Sequence, residues 1–256
     1  MDALVLAAGE GTRLGRYAAD RPKCLVELAG TSLLERSLRV LAAFPAVSAT
    51  VVGGTRSGQL RPPADRVIVN ERATSTNIVG SLCVGLDALG WPDDVLVVYG
   101  DIVFEQKVIA AALAPSDAAC VLPVNTGWRE LWQHRMPDPL ADAETLLLSA
   151  DGSRITRIGG RPAGYGDVQA QFMGVLRLRA EGIDWLRAMP AATRDQMDMT
   201  TLVDQMISAG PAVAAIPVAG GWLEVDTETD LELYRTLHAD GQLDRLCRIA
   251  ESGTDQ

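Results

Sequence analysis

Short apolar runs that stop at glycine set the frame for this chain. Residues 3–8 lead into Gly9, residues 49–52 into Gly53-Gly54, and residues 95–99 into Gly100-Asp101. Unbroken apolar runs of this kind are what a strand buried on both faces of a parallel sheet needs. Between them Leu33, Leu34, Leu38 and Leu41 repeat at helical spacing, and residues 78–89 form an amphipathic helix pattern. Residues 66–69 and 118–124 read as further strands, and 107–113 as a helix. The alternation predicts a mostly parallel α/β sheet with helices on both faces. Such sheets bind ligands beyond the C-terminal ends of their strands, so the Gly9 loop and the Gly100-Asp101 turn are expected to share one cleft.

The middle of the chain follows a different rhythm. Residues 128–144, rich in Trp, Arg, Asp and Pro, read as a loop or lid. Residues 145–149, 154–158 and 168–178 read as shorter strands forming a small antiparallel or mixed extension of the sheet. A helix over 200–209, a strand over 213–218 and a helical region over 229–246 complete the expectation.

Composition excludes several classes of function. With 23 Lys and Arg against 33 Asp and Glu, the chain carries a net charge of −10 and offers no broad basic face for nucleic acid. Four widely spaced cysteines without a C-x-x-C pair predict buried free thiols in a reducing compartment. Two histidines leave little material for a histidine-built metal site. No apolar stretch approaches the ~20 residues of a membrane span, and the strand-like start is not a signal peptide. A cytoplasmic protein is expected.

The densest chemical signal is the run Leu6, Ala7, Ala8, Gly9, Glu10, Gly11, Thr12, Arg13, Leu14, Gly15, followed by Arg21-Pro22-Lys23. Small residues let the backbone approach a ligand and turn its N–H groups to phosphate oxygens. Arg13 and Lys23 add cations suited to a triphosphate. The spacing is neither a P-loop nor a G-x-G-x-x-G fingerprint. The alternative is a tight turn with solvated basic residues.

The pattern L-A-A-G-x-G-T-R-L over 6–14, with P-K-C-L-V-E-L over 22–28, resembles the signature of the sugar-phosphate nucleotidyltransferase superfamily. The turn at Gly100-Asp101 and residues 222–227 ahead of Asp230-Leu231 extend the likeness over nearly the whole chain. The resemblance implies a Rossmann-like fold of the nucleotide-diphospho-sugar transferase type. It implies a loop that wraps base and triphosphate, a Lys23 contact to phosphate, and a homodimer. One domain over 1–256 is expected, with a nucleotide-binding half near 1–125, an acceptor or lid half over 126–228, and a helical end over 229–256.

Three carboxylates form the second signal. Asp101 ends a buried strand, and Glu224 and Asp226 alternate so as to share a face. Converging on one cleft they make a hard oxygen site suited to Mg²⁺. The structural alternatives are a turn or N-cap for Asp101, and an edge strand plus N-cap for the other two. The resemblance favours metal binding by Asp101 and Asp226. The expected reaction is attack of an acceptor phosphate or phosphonate oxygen on the α-phosphorus of a nucleoside triphosphate. That nucleophile is already anionic, so positioning and charge neutralisation by Mg²⁺, Arg13 and Lys23 carry the catalysis.

Residues 70–81 bear on the base. Asn70, Thr76, Asn77 and Ser81 can cap the helix or read a pyrimidine edge. This stretch resembles the cytidylyltransferase branch acting on phosphocholine and phosphonates, which points to CTP. Gln171 and Met173, with Asp198, fall in two further stretches that resemble the phosphonate enzymes. Together with Trp132, Arg135 and Trp222 they make the acceptor candidates: aromatic faces for an amine, Arg135 for the anionic end. Trp128, Asp138, Asp142 and Glu144 belong to the same segment. Two rival readings are a sugar-1-phosphate nucleotidyltransferase using UTP, GTP or dTTP, and a non-catalytic nucleotide-binding regulator. The regulator predicts loss of Arg13, Lys23, Asp101 or Asp226, and all four are present.

Overall fold

The computed structural model describes residues 1–249, so the end of the expected 229–256 region lies outside the described residues. In the first half the elements are β1 (Asp2–Ala7), β2 (Glu27–Leu28), β3 (Thr31–Ser32), α1 (Leu33–Ala42), β4 (Ser48–Gly53) and β5 (Val67–Val69). They continue with α2 (Ile78–Leu89), β6 (Asp94–Tyr99), β7 (Ile102–Phe104), α3 (Gln106–Ala112) and β8 (Cys120–Asn125). The second half holds α4 (Trp128–Arg135), β9 (Leu146–Leu148), β10 (Ile155–Ile158), β11 (Gln171–Phe172) and β12 (Val175–Arg179). It ends with α5 (Ala180–Ala188), α6 (Ala191–Gln196), α7 (Met199–Ala209), β13 (Val213–Val218), β14 (Trp222–Glu224) and α8 (Glu228–Ala239).

Eight strands form one mostly parallel sheet, in the order β11-β8-β12-β6-β1-β4-β5 with β13 on the other edge of β8. β1 runs parallel to β4 and β6, while β12 runs antiparallel between β6 and β8. The double burial read from β1 is real. Ala3, Val5 and Ala7 join the core shared with Leu34 and Leu41 of α1, and Leu4 and Leu6 join the one shared with Val79, Leu82 and Leu86 of α2. Period-two geometry thus feeds two helical layers from one strand. Helix α2 starts where the Asn77 side chain accepts from the Ile78 N–H at 2.7 Å and stops at Gly90 in the left-handed region.

Several expectations need correction. Residues 128–144 hold helix α4 and a 3₁₀ turn at Pro139–Ala141 rather than a loose lid. Trp128, Leu131 and Trp132 fall three and four apart and are buried, so helical spacing was hidden inside a polar composition. The strand expected over 168–178 breaks into β11 and β12 at Gly174, where φ is 66° and an added Cβ would lie 2.9 Å from the Tyr99 ring. Strands β9 and β10 form their own antiparallel ribbon, and helices α5 and α6 were not anticipated. All four cysteines are free and buried, as expected. Among the described residues no helix is long and apolar enough to cross a membrane.

Candidate active site

The site forms where β1 and β6 end side by side. Leu6 pairs with Tyr99, and the Gly100 N–H donates to the Leu6 carbonyl at 2.9 Å, so the glycine loop and Asp101 emerge together. Gly11, at φ 69°, turns the loop back. An added Cβ there would lie 2.8 Å from Lys23 Cβ, so glycine lets Lys23 pack beneath the loop. On the far side β14 pairs antiparallel with β7, and the Val225 N–H donates to the Asp101 carbonyl at 3.0 Å. This ladder carries Glu224 and Asp226 to Asp101 from more than a hundred residues away.

Lys23 is the hub. Its Nζ donates to Asp101 Oδ2 and to Asp226 Oδ1, each at 2.7 Å. Arg13 pairs with the other Asp226 oxygen. Burial works against the charged Lys23 ammonium, yet the flanking Asp101 and Asp226 outweigh it and hold its pKa above the ordinary value. Glu224 stands beside them, its carboxyl pushed up to about 7, first by burial and then by Asp101, with Arg135 pulling the other way.

The donor set fits a divalent cation in kind. Asp101 and Asp226 carry hard oxygens of the kind such a cation takes, and Asp101 Oδ1 is buried with no hydrogen-bond partner. Among the described residues no three acidic, histidine or cysteine side chains stand ready as a cage. Lys23 occupies the space between the two aspartates.

Two cavities flank this hub and share Tyr99. The first, about 220 Å³, is lined by Leu6, Ala8, Gly9, Ala73, Thr76, Asn77, Ile78, Ser81, Tyr99 and Asp101. Seven of the fifteen nucleotide-binding candidates, Leu6, Ala8, Gly9, Thr76, Asn77, Ser81 and Asp101, meet here. Asn70 does not line it. That side chain is buried, and its Nδ2 donates to Thr76 Oγ1 and Ser81 Oγ, both at 3.0 Å, so it organises the wall from behind. Ala7 and Glu10 line a small neighbouring pocket with Arg56. Thr12 opens the 3₁₀ turn Thr12–Tyr17, and Gly100 is buried in the turn against Leu6. Tyr99 and Ala73 were missed by sequence reasoning, which saw in Tyr99 only the end of an apolar strand.

The second cavity, about 250 Å³, is walled by Arg13, Tyr99, Trp132, Phe172, Gln171, Thr200 and Trp222 and by the carboxylates of Asp142, Glu144, Glu224 and Asp226. Trp132 and Trp222 stack with centroids 6.0 Å apart and planes 10° apart. Among the described residues Glu144 has no cationic partner. Its pKa is raised by desolvation in the cavity, with a Thr200 hydrogen bond acting against it. Trp132, Gln171 and Trp222, three of the acceptor candidates, thus share one cavity.

Three acceptor candidates stand elsewhere. Met173 is fully buried in the core beneath β12. Asp198 caps α7, accepting from the Thr201 N–H at 2.7 Å. Arg135 does not line the cavity: its side chain is 3% exposed and its Nε donates to Asp230 at 2.8 Å. Its planar fork found carboxylates on α8 and β14 that sequence proximity could not reveal.

A cation-bearing glycine loop thus faces paired aspartates beyond the C-terminal ends of the parallel strands. The chain belongs to the MobA-like NTP transferase domain family, whose family model matches residues 3–167. It is an enzyme that transfers a nucleotidyl group. Among relatives, the CTP:phosphoglutamine cytidylyltransferase of Campylobacter jejuni is 26% identical over 91% of this chain and 98% of its own length. The CMP-5'-(3-aminopropyl)phosphonate synthase of Streptomyces rubellomurinus is 32% identical over 46% of this chain and 20% of its own. The solved inositol-1-phosphate CTP transferase from T. maritima superposes with a TM-score of 0.73 at 17% identity, covering 96% of this chain and 97% of its own. That last likeness is one of fold.

Proposed function

We propose that this chain transfers CMP from CTP to a small phosphate or phosphonate acceptor that carries an amine, and releases pyrophosphate. The observation that carries the reading is the pair of unlike cavities on either side of Tyr99, one lined by Asp101 and the other by Asp226, the two aspartates that Lys23 ties together. The first has the backbone and hydroxyl lining suited to a nucleotide. Relatives named for CTP or CMP support cytosine as the base, and Thr76 and Ser81 offer hydroxyls to its edge. The second cavity has four carboxylates and one cation, Arg13, which is already paired to Asp226. An anionic phosphoryl end enters such a space readily only when an ammonium at the far end answers Glu144, since Asp142 already lies 3.6 Å from Arg135; Trp222 and Phe172 line the same cavity.

In the reaction an acceptor oxygen forms a bond to the α-phosphorus, the bond from the α-phosphorus to the α,β-bridging oxygen breaks, and pyrophosphate leaves with that electron pair. The nucleophile is anionic, so no side chain has to remove a proton. Lys23 and Arg13 hold positive charge at the seam between the cavities, where charge builds on the α- and β-phosphates. Asp101 and Asp226, with Glu224 beside them, would hold Mg²⁺, which when bound supplies further neutralisation of the triphosphate. Tyr99 separates base from acceptor, and its phenol stays protonated because burial, then Asp101, holds its pKa well above the ordinary value.

A pyrophosphate-release screen tests this. CTP with phosphocholine, aminoethylphosphonate, hydroxyethylphosphonate and several sugar-1-phosphates is compared with UTP, GTP and dTTP. Turnover with CTP and an amine-bearing acceptor is expected. Turnover confined to a sugar-1-phosphate with another nucleotide would replace this reading by the sugar-nucleotide one.

A further inference from the structure

We infer that Arg135 and Asp230 are positioning residues that hold Glu224 and Asp226 at the reaction centre; the inference rests on the nucleotidyl-transfer reading of that centre. Neither residue lines either of the two cavities at the site, and both side chains are almost wholly enclosed, at 3% and 5% exposed. Arg135 grips Asp230 through Nε at 2.8 Å and Nη2 at 3.2 Å, and its Nη1 reaches Glu224 Oε2 at 3.4 Å. Asp230 in turn binds the backbone next to the site. Its Oδ2 accepts from the Asp226 N–H at 3.1 Å, the Thr227 N–H at 2.9 Å and Thr227 Oγ1 at 2.9 Å. One buried ion pair therefore touches Glu224 by its side chain and Asp226 by its main chain.

Stability alone is a weak account of such a pair, because the cost of stripping water from two ions cancels much of their attraction. The helix start could be capped without Arg135, since Thr227 and Asp230 already complete a capping box. What Arg135 adds is directional. It sets a positive charge behind Glu224, which otherwise faces Asp101 and Asp226, and it fixes the rotamer of the group that orients the Asp226 amide. Groups that orient metal-binding carboxylates typically change metal affinity by ~10- to 100-fold when removed.

The test compares wild type with Arg135→Met/Asp230→Asn, which removes both charges of the pair together and keeps a capping oxygen, and with Arg135→Lys. Mn²⁺ binding is followed by electron paramagnetic resonance on the full chain, beside kcat, the KM for CTP and Tm. The double variant is expected to stay folded, with Mn²⁺ affinity and kcat each reduced at least about tenfold and the KM for CTP within about threefold. Arg135→Lys, a charge without the planar fork, is expected to fall between. Wild-type Mn²⁺ affinity and kcat in the folded double variant would overturn the inference while the reading of the centre stands. Wild-type Mn²⁺ binding that survives Asp101→Ala would overturn that reading, and the inference with it.

Discussion

The cavity on the Leu6 side of Tyr99 is walled by backbone, small residues and hydroxyls, whereas the one on the Trp222 side is walled by carboxylates and indoles. The first comes from two contiguous stretches, 6–9 and 73–81, with the end of β6. The second is gathered from α4, the Asp142–Glu144 turn, β11, α7 and β14. A nucleotide site can be written as a local motif because its ligand is held mainly by loop backbone and a helix start. An acceptor site is made by tertiary contacts, so it varies piece by piece.

The sharpest way to break this contrast is at the seam. Asp101→Ala or Asp226→Ala should lower turnover by about a thousandfold or more while nucleotide affinity falls less than about tenfold. Steady-state pyrophosphate release with a nucleotide titration measures both, and normal turnover in both variants would remove these residues from the chemistry.

A second effect belongs to the acidic side alone. The Glu224 carboxyl, raised to about 7 by burial and Asp101, keeps its proton in the folded state after an unfolded chain has lost it near the ordinary ~4.3. Between those values the native state binds more protons, so stability falls as pH rises through this window. Denaturant unfolding from pH 4.5 to 8 should show this decline, and Glu224→Gln should flatten it. An unchanged slope in the variant would assign the decline to other groups.

A third prediction separates the cavities. Glu144→Gln should raise the KM for an amine-bearing acceptor about tenfold, near 1.4 kcal/mol, and leave the KM for CTP unchanged. A matching rise for hydroxyethylphosphonate would mean that no ammonium is being read. The smallest effect is expected on the opposite wall, where Ser81→Ala should cost CTP about fivefold in kcat/KM, one hydrogen bond's worth, with acceptor KM unaffected.

How far the sequence could be read follows the same division. The strands ending at Gly9 and Gly100, helices α1 and α2, and strand β13 were visible because burial on both faces or on one stripe leaves a periodic trace. The glycine loop, Lys23, Asp101 and Asp226 were legible as a local pattern plus acidic strand ends. Tyr99 was not, since an aromatic at the end of an apolar strand looks like core. Helix α4 was masked by arginines and tryptophans, whose partners, Asp230 and Trp222, lie about ninety residues on. Arg135 read as a partner for the anionic end of the acceptor because its type suggests one. Only the fold shows that carboxylates enclose it.

The stacked pair of Trp132 and Trp222 has a consequence of an optical kind. Two nearly parallel indoles 6.0 Å apart couple as one chromophore rather than two. Both border the cavity proposed for the acceptor and neither borders the one proposed for the nucleotide. The near-ultraviolet circular dichroism of this protein is therefore expected to register the arrival of the acceptor as an event separate from the arrival of the nucleotide, with no label attached.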